Sequence, residues 1–197
     1  MYKHRIIFSL LMTVVALFAM TSCSEDDNTV EEYADWQNVN DKYFDDLTAK
    51  VQSGSVPGMW KRVRTWSKNE AGALANSDFI LMEDLGNDGS SLDMSCPQYT
   101  DSVKVHYQGR LIPSPSYPNG FLFDTSFRGE FNADIANPSK MAVKGVVDGF
   151  ATALLNMRRG DHYRVYIPYQ LGYGSSDNSS IPGGSTLIFD LRLVDFW

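Results

Sequence analysis

The first long apolar run in this chain, Ile6 to Met20, interrupted only by Ser9 and Thr13, stands directly behind the basic residues Lys3, His4 and Arg5. The run is too short and too one-sided for a comfortable spanning helix, and a basic front before an apolar middle is the layout of a secretory signal peptide. From Thr29 the pattern changes to steps of three and four: Val30, Tyr33, Trp36, Tyr43, Phe44, Leu47 and Val51. That is the period of an amphipathic helix. Thr29-Val30-Glu31-Glu32 has capping-box spacing, while Gly54 and then Pro57-Gly58 are stop signals, so the helix is expected from Thr29 to about Val51. Its aromatic stripe forms a patch too large to leave bare. It either packs on its own domain, with Trp60 and Trp66 sharing the burial, or pairs with a second copy. Self-packing is the preferred reading, because residues 54–58 can turn the chain back.

Between Met59 and Ser67, Trp60, Val63 and Trp66 stand among Lys61, Arg62 and Arg64 with neither period sustained, and no element is assigned. Strand patterning begins at Phe79-Ile80-Leu81-Met82 and gives way to a Gly/Asn/Asp/Ser turn region up to Pro97. Val103, Val105 and Tyr107 alternate with Lys104 and His106, which turns His106 to the opposite face. After the loop of Pro113, Pro115 and Pro118 comes the short strand Phe121-Leu122-Phe123-Asp124. One short helix is expected from Asp148 as its cap, with Phe150, Leu154 and Met157 on one side and its end at Arg158-Arg159-Gly160. Strands from Tyr163 to Ile167 and from Leu187 to Leu193 follow. This is an α+β pattern: a curved antiparallel β-sheet wrapped around one short α-helix, with an N-terminal helical extension. The expected organisation is 1–22 signal peptide, 23–76 acidic tether and helical extension, and 77–197 sheet domain.

Composition narrows the chemistry. Of 197 residues 43% are hydrophobic, enough for one globular core. The formal charge is −7 and no long Lys/Arg run occurs, which argues against nucleic acid as a partner. Two cysteines, Cys23 and Cys96, and three scattered histidines signal neither a disulfide scaffold nor a metal site. Met20-Thr21-Ser22-Cys23 resembles the lipobox of bacterial lipoproteins, so Cys23 is the expected lipidation site and new N-terminus. The chain is then anchored to a membrane of the cell envelope, on the outer membrane and facing either the periplasm or the surface. The stretch after it, with Glu25, Asp26, Asp27, Glu31 and Glu32 and no basic residue, reads as a solvated tether and resembles surface-export signals of lipoproteins in some Gram-negative groups. Cys96 is read as structural filler.

A series of short motifs carries a further resemblance: Val105-His106-Tyr107-Gln108-Gly109, Phe123-Asp124-Thr125-Ser126, Val146-Val147-Asp148-Gly149-Phe150, Met157-Arg158-Arg159-Gly160, Leu171-Gly172-Tyr173-Gly174, Ile181-Pro182 and Thr186-Leu187-Ile188-Phe189-Asp190. Their order and rough spacing resemble FKBP-type peptidyl-prolyl cis-trans isomerases over about Ser77 to Trp197. The resemblance implies an isomerase (rotamase) acting in protein folding on proline-containing polypeptides, with macrolides as ligands of the same pocket and no cofactor. It implies that Tyr107, Phe123, Phe150 and Phe189 form the aromatic walls and floor of a prolyl pocket, with Asp124, Val146, Val147, Tyr173 and Ile181 at its rim. The Val147 N–H and the Tyr173 hydroxyl would bind carbonyls, Asp124 would sit near the substrate carbonyl, and Arg128 would pair with Asp124.

The chemistry is consistent on its own terms. Twisting an Xaa-Pro amide meets a barrier of about 18–20 kcal/mol, because resonance is lost along with much of the charge separation of the planar form. An apolar pocket with a few fixed donors favours the twisted state. Phe150 stands where the family often has Trp, the helix begins with Asp148 where many members differ, and the loop from Phe127 to Lys140 is longer than in the smallest members. Reduced activity is therefore an expectation. A non-catalytic peptide- or protein-binding lipoprotein of the same fold is the alternative, and a structural accessory lipoprotein a third reading.

Overall fold

A computed structural model describes residues 30–72, 75–89 and 94–197. The expected signal peptide, Cys23 and the Thr29 end of the capping box lie outside the described residues. Residues Glu32–Trp197 form one unit. Its elements in chain order are helix α1 (Trp36–Gln52), strands β1 (Met59–Arg64), β2 (Phe79–Asn87), β3 (Ser102–Arg110), β4 (Leu122–Thr125) and β5 (Ser139–Ala142), helix α2 (Asp148–Leu154), and strands β6 (Asp161–Ile167) and β7 (Leu187–Phe196). The strands form one curved antiparallel sheet in the order β1-β2-β6-β7-β3-β4, with β5 pairing the other half of β3.

Period-two alternation decides which face each residue serves. Ile80 and Met82 of β2, Val165 and Ile167 of β6, and Leu187, Phe189, Leu191 and Leu193 of β7 project to one side, where they form the main core with Phe150, Leu154 and Met157. The residues between them, Leu81, Tyr166 and Ile188, project to the other side, where Phe44 of α1 covers them with Tyr43, Leu47, Val51 and Trp60. Each fully buried aliphatic side chain of this kind contributes about 1.5–3 kcal/mol. The helical extension therefore packs on its own sheet.

Helix α1 ends where expected, at Gln52, but its start, and both ends of α2, differ from the sequence expectation. Helix α1 begins at Trp36 rather than Thr29, because the Glu32 carboxylate is engaged elsewhere: it accepts the Ser114 hydroxyl and the Ser116 N–H. Asp35, in the left-handed region at φ 48°, takes the N-cap position, and its side chain accepts from Asn38 at 2.6 Å. Asp148 is the first helical residue of α2, not its cap; Val147 holds the cap position and no side chain closes it. The helix ends at Leu154 rather than at Arg158-Arg159-Gly160; just beyond its end Asn156 Nδ2 donates to the Thr152 carbonyl at 2.8 Å. Met157 lies beyond the helix and is still fully buried.

The segment without a clear period is the edge strand β1, pairing Lys61 with Met82 and Val63 with Ile80. Its cations serve the domain itself. Arg62 stacks on the Phe79 ring at 3.4 Å, Lys61 lies 4.5 Å from the Tyr163 ring and donates to its hydroxyl, and Arg64 faces Glu70. The sheet thus reaches back to Met59. Trp60 lies against Tyr166 at 5.5 Å and Trp66 against Tyr99 at 4.1 Å, Trp66 remaining 40% exposed.

Candidate active site

The site is built where α2 fails to cover the core face completely. On β3, Val105 and Tyr107 share the core face; on β7, Phe189 and Leu191 do, and the register sets Tyr107 opposite Leu191 and Gly109 opposite Phe189. Gly109 is required there: a Cβ would fall 2.5 Å from the Phe123 ring and 2.7 Å from Phe189. Gly149 has the same function one layer up, where a Cβ would stand 2.3 Å from Ile167 Cγ2, so its absence lets α2 settle on β6 and carry Phe150 down to Phe189.

The result is a cavity of about 190 Å³ lined by Tyr107, Asp124, Met141, Gly145, Val146, Val147, Phe150, Tyr173 and Phe189. Its rings stand edge to face. Phe150 and Phe189 are 4.9 Å apart at 83°, Tyr107 and Phe150 6.1 Å at 81°, and Tyr107 and Phe189 6.2 Å at 61°. This arrangement matches positive ring edges to negative ring faces. Phe150 and Phe189 are almost fully buried, whereas Tyr173, at the mouth, is 42% exposed.

The polar groups sit on one side. Tyr107 donates its hydroxyl to Asp124 Oδ2 at 2.8 Å, and the other carboxylate oxygen accepts the Thr125 N–H at 2.8 Å. Burial, then the hydrogen bond to Asp124, raises the Tyr107 phenol far above its ordinary value; burial, then the Asp124 charge, raises that of Tyr173. Both hydroxyls remain protonated donors at neutral pH. No hydrogen bond from the Tyr173 hydroxyl or the Val147 N–H is formed among the described residues, so both are available to a carbonyl.

Of the residues expected at this site, all but Phe123 and Ile181 line the cavity. Phe123 stands behind it, edge to face with Phe189 at 5.6 Å, and supports that wall. Ile181 lines a separate cavity of about 510 Å³ with Tyr33, Trp36 and Pro182. The expected Asp124–Arg128 pair does not form among the described residues; Asp124 is held by Tyr107, and Arg128 lies with it along a neighbouring surface cavity. Met141 and Gly145 were not anticipated. The alternation of Met141 with Val143 was the available signal, but β5 is only four residues long.

Similarity to known proteins bears on the same residues. The family model described as FKBP-type peptidyl-prolyl cis-trans isomerase matches residues 94–194, just over half of the chain. An FKBP-type 22 kDa peptidyl-prolyl cis-trans isomerase of Escherichia coli is 39% identical over 101 residues, covering 50% of this chain and 43% of the relative. FkpA of Escherichia coli is 33% identical over 99 residues, covering 50% of this chain and 32% of the relative. The chain therefore spans less than half the length of these curated relatives. Among solved structures, FkpA of Escherichia coli aligns with a TM-score of 0.50 at 26% identity, over 83% of this chain and 65% of that one. A peptidyl-prolyl cis-trans isomerase from Pseudomonas syringae aligns with a TM-score of 0.51 at 23% identity, over 79% and 94%, and shows the shared fold. With the matched span running from the approach to β3 through the body of β7, this chain belongs to the FKBP-type peptidyl-prolyl cis-trans isomerase family.

Proposed function

We propose that this chain is a peptidyl-prolyl cis-trans isomerase that assists the folding of exported, proline-containing polypeptides. The observation that carries this reading is the convergence of Tyr107, Phe150 and Phe189, from three separate elements, on one cavity whose free donors lie at its rim. A pyrrolidine ring fits against the perpendicular ring faces, and the apolar walls favour an amide that has lost the charge separation of its planar form. The Tyr173 hydroxyl and the Val147 N–H each hold a carbonyl of the substrate, so that binding energy is realised in the rotated geometry. Asp124 keeps the Tyr107 ring in place through its hydroxyl and directs negative potential toward the reacting carbonyl carbon. The same cavity would accept macrolides that mimic the prolyl ring and its carbonyls.

A protease-free isomerisation assay on the full chain is the test. Acceleration at micromolar protein is the expected result, strongest with an apolar residue before proline; absence of acceleration refutes catalysis and leaves a binding module. Tyr173→Phe should weaken a carbonyl-bearing ligand by about 0.5–1.5 kcal/mol.

The location proposed is the cell envelope, with the chain held at the outer membrane by a lipid on Cys23 and facing the periplasm or the surface. The support is the apolar run ahead of Met20-Thr21-Ser22-Cys23 and the acidic, lysine-free stretch behind it. Cys23→Ser should shift the protein out of membrane fractions or block its processing. Mass spectrometry of the mature N-terminus decides the matter: an unmodified first residue other than Cys23 defeats the anchor.

A further inference from the structure

The loop that carries Tyr173 runs from the turn Tyr169–Leu171 to the start of β7, and it is closed on itself by hydrogen bonds. Its stem is closed by Gly174 N–H to the Tyr169 carbonyl at 2.9 Å and Gly184 N–H to the Gly174 carbonyl at 3.0 Å. Further out, Asn178 and Ile181 exchange two backbone bonds of 2.9 Å, and Gly183 N–H reaches Asp177 Oδ1 at 2.8 Å. A body tied together in this way moves as one piece. The place of Tyr173 over the cavity therefore depends on what holds the stem.

The stem is held by α1. Trp36 Nε1–H donates to Ser185 Oγ at 2.7 Å, and that hydroxyl donates on to the Pro182 carbonyl at 2.6 Å. Asn40, with no exposed surface, uses both ends of its amide: Oδ1 accepts the Thr186 N–H at 2.7 Å, and Nδ2 donates to the Trp36 carbonyl at 2.7 Å. Gln37, between them, donates to the Tyr169 hydroxyl at 3.1 Å. Gly184, at φ +77°, approaches so closely that a Cβ would lie 2.7 Å from Gln37 Cβ. The Trp36 ring is also a member of the main core, while the remaining apolar contacts that dock α1 on the sheet lie further along the helix, at Phe44 and its neighbours. Besides that packing, the start of the helix reaches the loop through buried, satisfied polar groups of Trp36 and Asn40 and an exposed bond from Gln37. Helix α1 lies outside the span matched by the family.

We propose that Trp36 and Asn40 are positioning residues for Tyr173: by fixing the stem of loop 172–186, the extension helix sets the reach of the Tyr173 hydroxyl over the prolyl cavity. This inference rests on the isomerase reading above, and its test separates the two.

In the full chain, Trp36→Phe removes the indole N–H together with the five-membered half of the ring system and keeps a six-membered aromatic ring in the core; Asn40→Ala removes the acceptor for the Thr186 N–H. Each should raise KM more than it lowers kcat, for a loss in kcat/KM of about three- to tenfold, the size of one buried hydrogen bond. In a Tyr173→Phe background the same substitutions should cost nothing further, since they act through that hydroxyl. Independently of activity, hydrogen exchange at the Gly174, Gly184 and Thr186 amides should accelerate in both variants. Lys42→Ala, on the exposed side of α1, should leave both readouts at the parent level. Unchanged exchange in the loop, or an equal loss of kcat/KM with and without the Tyr173 hydroxyl, overturns the proposal. If the parent chain shows no isomerase activity, the functional reading fails, and exchange still decides whether α1 holds the loop.

Discussion

On one face of the sheet, α2 lays Phe150 and Leu154 against Phe189, Val165 and Ile167; on the other, α1 lays Phe44 against Leu81 and Tyr166. Both faces are apolar and both carry a helix. They differ in how far the helix reaches. Helix α1 has 17 residues and rests on a small cluster, whereas α2 has seven, covers Phe189 with Phe150 and leaves Tyr107 half-buried. A seven-residue helix is too short to be stable alone and exists here because it is buried along nearly its whole length. Its brevity leaves the Tyr107 side of the cavity open. Two tyrosines show the contrast. Burial, then the neighbouring Tyr43 and Glu83, pushes the Tyr166 phenol up to about 12 on the covered face. Tyr107, raised by burial and then by its bond to Asp124, lines the open cavity.

This contrast can be broken most forcefully with one truncation on each face. Phe150→Ala should cost about 3–5 kcal/mol and Leu81→Ala about 2–5 kcal/mol, both read by urea unfolding. Only Phe150→Ala should also reduce kcat/KM per folded molecule, by about tenfold or more, since it removes a cavity wall. A comparable change in KM from Leu81→Ala would show that the α1 face shapes the site directly.

Removing single hydroxyls sharpens the same comparison at smaller amplitude. Tyr107→Phe takes away the bond that orients Asp124 and should lower kcat/KM by an amount equivalent to about 0.5–1.5 kcal/mol, while Tyr166→Phe leaves it unchanged. Equal effects on isomerisation from the two would remove the distinction.

The smallest expected effect concerns His106, which sits on the β3 face turned away from Tyr107. It is packed between Phe127 and Phe131, with Arg192 nearby, and its Nδ1 is buried without a hydrogen-bond partner. Burial, then the Arg192 charge, lowers its pKa below the ordinary 6.5. The unfolded chain therefore binds a proton at this residue where the folded one does not. Its contribution to stability is present above 6.5 and is lost as pH falls below that value. Thermal unfolding followed from neutral to mildly acidic pH should show a downward slope that is shallower in His106→Gln. An identical slope would assign the acid sensitivity to other groups.

The strands of the main core were legible because their alternation is strict. In β7, Leu187, Phe189, Leu191 and Leu193 fall on one face with Ile188, Asp190 and Arg192 between them. β1 was illegible for the opposite reason: an edge strand needs few buried positions, and its arginine and lysine side chains pack along aromatic rings without producing a period. The start of α1 was misplaced because the Glu32 carboxylate, which local spacing assigns to a capping box, finds better partners in Ser114 and Ser116, more than eighty residues away in sequence. Local spacing contains no record of such a partner.

The sequence alone determined the antiparallel α+β pattern, the aromatic residue types at Tyr107, Phe150 and Phe189, and the glycines among them, because periodicity and residue size act over a few neighbouring positions. Tertiary structure decided everything that depends on approach across the chain. It placed Gly109 where only a missing Cβ lets Phe123 and Phe189 meet, turned Asp124 to Tyr107, and brought Met141 and Gly145 to the cavity. It also set Trp36 and Asn40 against a loop nearly 150 residues further along the chain. These are contacts of distance and direction, and their strength comes from burial that forms only when distant segments close on one another.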